Sequence, residues 1–401
     1  MHHRAIRSIG CLYHKIDGSF HVFPEVIMSS KVYFWNMRAS IKAPFNNRIR
    51  KILKTTKATE HIASGDLTAL KVHFGELGNT TFLRPIWLKP IISYYKKAGA
   101  KPFLTDTSTL YTGERGNAPD HQMCAALNGF DPLLLGAPVI IADGLRGESE
   151  VIVNSEPHKN SHFKQTYIAS DIARADHLVA ISHFKGHGLA GYGGALKNIG
   201  MGCASKRGKM QQHCTSGPKG NVHKCVGCGL CMELCQHGAL SLDSNKKIQV
   251  DDQLCVGCGA CLLACKTGAL QVNWETGIQE FLEKMMEYAL AVLKTKKSPS
   301  LFINFAINIT PECDCLSWSD APICPDLGIF ASADPVALDQ ACIDMADQAP
   351  IIPSAMHKLP ENYRVGECKF TAIHDKVPKD MGLDYAEKIG LGSRKYQLIY
   401  I

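Results

Sequence analysis

The sequence predicts an α/β fold: a mostly parallel sheet flanked by helices, interrupted by a small α+β module. Three observations carry this prediction. Apolar runs of strand length alternate with segments of helical periodicity from residue 67 onward. Two predicted strands close on an aspartate, Asp106 and Asp143, where a parallel sheet turns into a loop. One stretch, residues 216–274, abandons the alternation for cysteine and glycine.

The elements follow in chain order. Residues 1–27 are His-rich and lack periodicity, and they read either as a non-native extension or as a disordered one. Met28 opens the first strand-like run, Met28-Ser29-Ser30-Lys31-Val32-Tyr33-Phe34. Leu67–Val72 is apolar and strand-length. Residues 85–97 read as a helix with Ile86, Leu88, Ile91, Ile92 and Tyr95 apolar, and Gly99 stands where a C-cap belongs. Residues 102–105 form a short strand ending at Asp106, and residues 139–142 form another ending at Asp143-Gly144. Residues 172–175 end a helix, and residues 177–181 form a further strand. After the cysteine-rich stretch, Ile278–Lys294 is a helix with Leu282, Met285, Met286, Ala289 and Leu293 on one face. Residues 301–307 are a buried strand, and Asp334-Pro335 supplies a cap and a first-turn proline for the next helix. The organisation is one α/β domain in two parts, 28–215 and 275–401, with 216–274 inserted.

Composition is that of a soluble globular chain: 401 residues, 45% hydrophobic and 20% charged, without long like-charge runs. No apolar stretch is long enough to span a bilayer, and no apolar run follows Arg4, Arg7 and Lys15 as in a secretory signal. A cytoplasmic location is therefore expected. The anomaly is seventeen cysteines, eight of them in two tight groups. Grouped thiols in so long a chain favour metal ligation over a disulfide framework.

The two groups are Cys225-x-x-Cys228-x-x-Cys231-x-x-x-Cys235 and Cys255-x-x-Cys258-x-x-Cys261-x-x-x-Cys265, 30 residues apart. Each opens Cys-Val-Gly-Cys-Gly, and Gly-Ala-Leu follows each, at 238–240 and 268–270, so the segment is an internal duplication. Three thiolates at this spacing can wrap one cubane, and Gly227, Gly229, Gly257 and Gly259 let the backbone turn closely around it. In two-cluster bacterial ferredoxins the fourth thiolate reaches across to the other cluster. Read that way, Cys225, Cys228, Cys231 and Cys265 hold one 4Fe–4S cluster, and Cys255, Cys258, Cys261 and Cys235 hold a second. Zinc prefers pairs of ligands on separated knuckles, and free thiols need no duplication. Bacterial ferredoxins usually carry proline after the fourth cysteine; here Gln236 and Lys266 stand there. Two oxidised clusters at roughly −2 each would bring the formal charge of +7 to about +3, so the basic balance does not point to nucleic acid.

Residues 183–202, His183-Phe-Lys185-Gly-His187-Gly-Leu-Ala-Gly-Tyr-Gly193-Gly194-Ala-Leu-Lys197-Asn-Ile-Gly-Met-Gly202, are joined by four further motifs. These are Lys71-Val72-His73-Phe74-Gly75-Glu76, Asp143-Gly144-Leu145, Cys313-Asp314-Cys315 and Asp334-Pro335-Val336-Ala337-Leu338-Asp339. Together they resemble the iron–sulfur protein family known as domain of unknown function 362, from Met28 to about Asp347. The resemblance implies the fold and the clusters, and no catalytic residues. A partial similarity, on His183, His187 and the 193–197 run, extends to the α/β lactate racemase with a nickel-pincer nucleotide. There, histidines and a lysine in a glycine-rich context serve the cofactor; nickel is not carried over.

The other candidates have two readings each. The glycine-rich stretch 186–202 reads as a loop whose amides, with Lys185 and Lys197, cradle an anionic group, or as a tight loop packed beneath the cysteine module. It matches neither a Walker A loop nor a dinucleotide fingerprint. His183 and His187 would share a helix face, but the glycines between them argue for a loop. His73, with Glu76 nearby, is a further candidate. Cys313, Cys315 and Cys324 could bind another metal, act as a redox pair, or pack as buried small side chains; Asp314 and Asp320 argue against burial. Cys11, Cys124, Cys203, Cys214, Cys342 and Cys368 read as unliganded, with Cys203 and His213-Cys214 the nearest to the module. Asp106 and Asp143 end strands, where they either meet a ligand or tie loops.

The function these features predict is electron transfer by two 4Fe–4S clusters, coupled to a redox reaction in the α/β domain, with Lys185, His187 and Lys197 shaping the site. The partner is a redox protein or a small anionic molecule. The alternatives are an electron carrier without a substrate and an isomerase akin to the nickel-dependent racemase.

Overall fold

The computed structural model describes residues 15–16, 19–20, 29–111, 113–154, 161–213, 218–235, 237–255, 260–271 and 277–401. Most of the predicted extension 1–27, with Cys11 and Met28, lies outside them, as do Cys214, Gln236, Gly257, Cys258 and Gly259.

The core is an eight-stranded sheet. Its strands in chain order are β1 (Ser30–Trp35), β2 (Leu67–Val72), β3 (Lys101–Asp106), β4 (Val139–Ile141), β5 (His177–His183), β6 (Leu301–Ala306), β7 (Gly328–Ser332) and β8 (Tyr396–Tyr400). Across the sheet they run β8-β1-β7-β6-β5-β2-β3-β4. β7 is antiparallel to both neighbours, and every other pairing is parallel.

Alternation along each strand feeds two cores, one per face. Phe103, Leu178, Ala180 and Phe302 point to one; Leu104, Val179, Ile181 and Ile303 point to the other. The first core is covered by helices Ile278–Lys294 and Pro335–Gln348, the second by Phe45–Thr55 and Lys89–Lys97. Both faces are dry, which is why β6 reads Leu-Phe-Ile-Asn-Phe-Ala without polar alternation.

Caps fix the helices at the expected places. Asp334 accepts the N–H groups of Val336 and Ala337 at 2.9 and 3.0 Å. Its other oxygen accepts Ser30 Oγ at 2.6 Å and Ser393 N–H at 2.8 Å, tying the starts of β1 and β8 to the helix. Residues 85–97 divide into a 3₁₀ turn, Pro85–Leu88, and the helix Lys89–Lys97.

The cysteine-rich stretch leaves the sheet domain after helix Lys206–His213 and returns at Ile278–Lys294. These two helices pack on each other, and His213 stacks on Phe281 with ring centroids 4.9 Å apart. Within the stretch, Leu240–Leu242 pairs with Ile248–Val250, and Lys219–Gly220 pairs with Leu270–Gln271. It has its own small core around Cys225, Cys231, Leu240, Ile248 and Cys261.

Candidate functional site

A cavity of about 320 Å³ opens at the carboxyl ends of β2, β5 and β3, where open parallel sheets bind ligands. Lys71 and His73 reach it from the end of β2, Asp106 from β3, and Ser182 and His183 from β5.

The chain beyond β5 builds the next wall. It is not a loop. Lys185–His187 and Gly191–Gly193 form a hairpin, and helix Ala195–Gly200 follows directly. His183 is therefore the last residue of a sheet strand, and His187 sits in a hairpin strand. The glycines serve close packing. A Cβ on Gly186 would stand 2.0 Å from the Pro311 carbonyl oxygen, and one on Gly194 would stand 2.3 Å from Asp339 Oδ1. Asp339 accepts the N–H groups of Ala195 and Leu196 at 2.8 and 3.0 Å, so those amides are not available to cradle an anion. What this segment contributes to the cavity is side chains: Lys185, His187 and Lys197.

Five cations line the cavity: Lys71, Arg115, Lys185, Lys197 and Lys209. Three are matched by buried carboxylates. Lys71 lies 2.8 Å from Asp106, Arg115 3.1 Å from Glu76 and Lys185 3.3 Å from Asp314. Asp314 also takes His183 Nδ1 at 2.8 Å, while His183 Nε2 faces the Ile307 carbonyl at 2.8 Å. Burial pushes the Asp314 carboxyl up, but His183 and Lys185 outweigh it and hold it well below the usual range. Lys197 and Lys209 have no carboxylate within ion-pair distance among the described residues. Lys197 Nζ contacts Cys313 Sγ at 3.7 Å, and Lys209 donates to the Thr107 hydroxyl at 2.5 Å and the Ala204 carbonyl at 2.6 Å. Burial brings the Lys209 ammonium down to about 8, against Asp143 and Asp106.

Three histidines at the cavity, His73, His187 and His213, are held neutral. Burial, then Arg115, takes His73 well below the ordinary imidazole value; burial, then Lys197, does the same at His187. Burial with Lys197 and Lys209 takes His213 down to about 3. The cavity thus combines two lysines that lack a carboxylate partner among the described residues with neutral imidazoles, an environment that favours a small anion.

Cys315 lines the same cavity, and Cys313 lies behind it, buried. Their sulfurs and one ring nitrogen of His187 lie within 4.8 Å of one another. Asp314 between them is fully buried, contrary to the expectation of an exposed segment, because His183 and Lys185 neutralise it. Cys324 does not join this group. It packs in the first core with its thiol pushed up to about 12 by burial, and His187 takes the third place.

A second cavity, of about 280 Å³, lies in the cysteine-rich stretch and is lined by Cys225, Cys228, Cys231 and Cys265. The repeated Gly-Ala-Leu turns act alike: Gly238 and Gly268 both have φ +63°, and the N–H groups of Ala239 and Ala269 point at Cys235 Sγ (3.3 Å) and Cys265 Sγ (3.1 Å). Four thiols around one cavity, with amides aimed at sulfur, fit a 4Fe–4S cluster in donor type and number. Cys255, Cys261 and Cys235 are described; Cys258, assigned with them, lies outside the described residues. The stretch touches the first cavity's wall: Leu262 and Leu110 both pack against Met210 of helix Lys206–His213, and Leu110 lines the cavity.

The family model for the domain of unknown function DUF362 matches residues 68–344, which include both cavities. The chain belongs to the DUF362 family. No curated protein matches it. Among solved structures, the lactate racemase apoprotein from Thermoanaerobacterium thermosaccharolyticum aligns at 15% identity and a TM-score of 0.32, over 63% of this chain and 51% of that one. This DUF362 chain thus spans about half the length of that structure.

Of the residues singled out in the DUF362 sequence, His73, Asp106, His183, Lys185, His187, Lys197 and Cys315 meet at the first cavity. Asp143 does not: it accepts the N–H of Ser108 at 3.0 Å and ties a loop. Cys124 and Cys203 are buried with thiols pushed up to about 11; burial also raises Cys342 and Cys368. Sequence reasoning did not assign Lys71, Arg115 or Lys209 to the site. A charged residue inside the apolar run Leu67–Val72 was the signal for Lys71. Arg115 and Lys209 come from a turn and a helix whose sequences carry no such signal.

Proposed function

We propose that this DUF362 protein carries two 4Fe–4S clusters and uses them to serve a redox reaction of a small anionic molecule bound in the sheet-end cavity. The observation that carries the reading is the gathering of Cys225, Cys228, Cys231 and Cys265 around one cavity. Cys265 belongs to the second cysteine run, and its place on this cavity supports a fourth ligand that crosses between the runs as in two-cluster ferredoxins. When bound, the clusters would supply one-electron transfer. The chain's own residues do the rest. Cys225, Cys228, Cys231 and Cys265 would hold one cluster, and Cys255, Cys258, Cys261 and Cys235 the other. Lys197 and Lys209 attract the anion, Arg115 and Lys71 border it, and neutral His73 and His187 line the cavity as uncharged polar groups. Leu262, Met210 and Leu110 join the cysteine stretch to the cavity wall in continuous packing.

A concave, partly open cavity lined by charged side chains favours a bound molecule over a carrier with only a docking surface. Metal and sulfide analysis of anaerobically purified protein tests the reading, with about eight of each expected per chain. Cys225→Ser and Cys265→Ser should remove the same electron paramagnetic resonance signal, and Cys235→Ser the other. Protein with zinc and no acid-labile sulfide, or Cys235→Ser removing the same signal as Cys225→Ser, would sink it.

A further inference from the structure

We infer that Cys313 and Cys315 are a redox-active dithiol at the wall of the anion cavity, cycling between a thiol pair and an intrachain disulfide. The sulfurs are neighbours, and their surroundings differ from those of Cys203 and Cys324. Cys313 Sγ accepts the Cys315 N–H at 3.4 Å and faces Lys197 Nζ at 3.7 Å, while Cys315 is half-exposed to the cavity. Cys203 and Cys324 lie in the apolar core, each wholly buried. A sulfur supplied with N–H donors and a cation is a thiolate site; a sulfur among apolar side chains stays a thiol. The pair shares one proton accordingly: the hydrogen bond from Cys315, with Lys197 and Lys185 adding to it and burial opposing, takes Cys313 well below the ordinary thiol range and raises Cys315.

The same three side chains could be read as a metal site, and His187 decides against it. Its Nδ1 accepts the N–H groups of Leu189 and Ala190 at 3.1 and 3.0 Å. The neutral ring must then carry its proton on Nε2. Neither nitrogen keeps a free lone pair for a metal, whereas a ligating histidine donates its second nitrogen's proton outward. His187 is a neutral polar neighbour to the dithiol.

The chemistry balances as follows. The Cys313 thiolate and the Cys315 thiol together give up two electrons, the Cys315 S–H bond breaks and its proton passes to water in the cavity, and one S–S bond forms. The acceptors would be two one-electron centres, the oxidised clusters held by the two cysteine runs, which is the part that rests on the iron–sulfur reading. The reverse step reduces the disulfide with two electrons and takes up one proton. The dithiol would convert single-electron traffic into the two-electron exchange most small organic anions require.

The test uses the full chain, purified anaerobically and equilibrated in dithiothreitol buffers of graded thiol-to-disulfide ratio. Free thiols are alkylated and peptides read by mass spectrometry. The expected result is a Cys313–Cys315 linkage that titrates with a single two-electron midpoint and disappears in Cys313→Ser and in Cys315→Ser. Iron and sulfide content should be unchanged in both variants. Two free thiols at 313 and 315 across the whole range would overturn the proposal. So would one zinc ion per chain that is lost in Cys313→Ser and in His187→Ala. A dithiol that titrates in protein devoid of iron and sulfide would keep this inference and remove the iron–sulfur reading.

Discussion

Lys197 and Lys209 set the character of the cavity because neither has a carboxylate partner among the described residues. A buried charged hydrogen bond is worth roughly 1.5–3 kcal/mol, so Lys197→Met and Lys209→Met should each weaken binding of a probe such as oxalate by about tenfold or more, measured by calorimetric titration. The Lys209 ammonium ionises at about 8. Affinity should therefore fall as the pH rises through about 8 in the parent protein and lose that inflection in Lys209→Met. Persistence of the inflection in the variant would move the effect elsewhere. The sequence shows Lys185, His187 and Lys197 plainly, since cations in a glycine-rich run stand out. It misassigns the glycines: Gly186 and Gly194 exist because Pro311 and Asp339 lie where a Cβ would be, and no local pattern reveals a neighbour some 125 or 145 residues away. Cys324 errs for the same reason: closeness in sequence to Cys315 is not closeness in space.

At the level of elements, helix Pro335–Gln348 is the joint of the fold. Asp334 caps it, holds the starts of β1 and β8, and sits five residues before Asp339, which anchors helix Ala195–Gly200. Asp334→Ala should cost about 1 kcal/mol for the cap alone, and more for the two strand contacts, as a lowered urea midpoint with unchanged slope. An unchanged midpoint would mean that the cap is dispensable. The helix start was legible, as Asp-Pro is a local signal. β7 and β8 were not expected from the sequence. β8 has no fully buried residue and gains its identity from pairing with β1, more than 360 positions earlier. Short edge strands of this kind are defined by their partner, not by their own composition.

Across the whole molecule, burial holds His73, His121, His187 and His213 neutral, with His121 and His213 both near 3. The unfolded chain takes up protons on these rings near 6.5, and the folded chain does not. Stability should therefore fall as the pH drops below about 6.5, continuing toward about 3. Asp339, raised to about 6, works in the opposite direction between about 6 and 3.8. Urea midpoints between pH 7.5 and 5 should decline, and less so in His213→Gln; a flat profile would contradict the neutral imidazoles. By itself the sequence determined the α/β class, the helix caps and the cysteine duplication. Each is a pattern within a few contiguous residues, where spacing and side-chain chemistry act directly. Only the tertiary structure decided the site. Strand order brings the ends of β2, β3 and β5 together, and burial makes matched ion pairs of Lys71 and Lys185 while leaving Lys197 and Lys209 without a carboxylate among the described residues. Such relations join residues over a hundred positions apart, and the energy that selects them comes from packing two dry cores against one sheet.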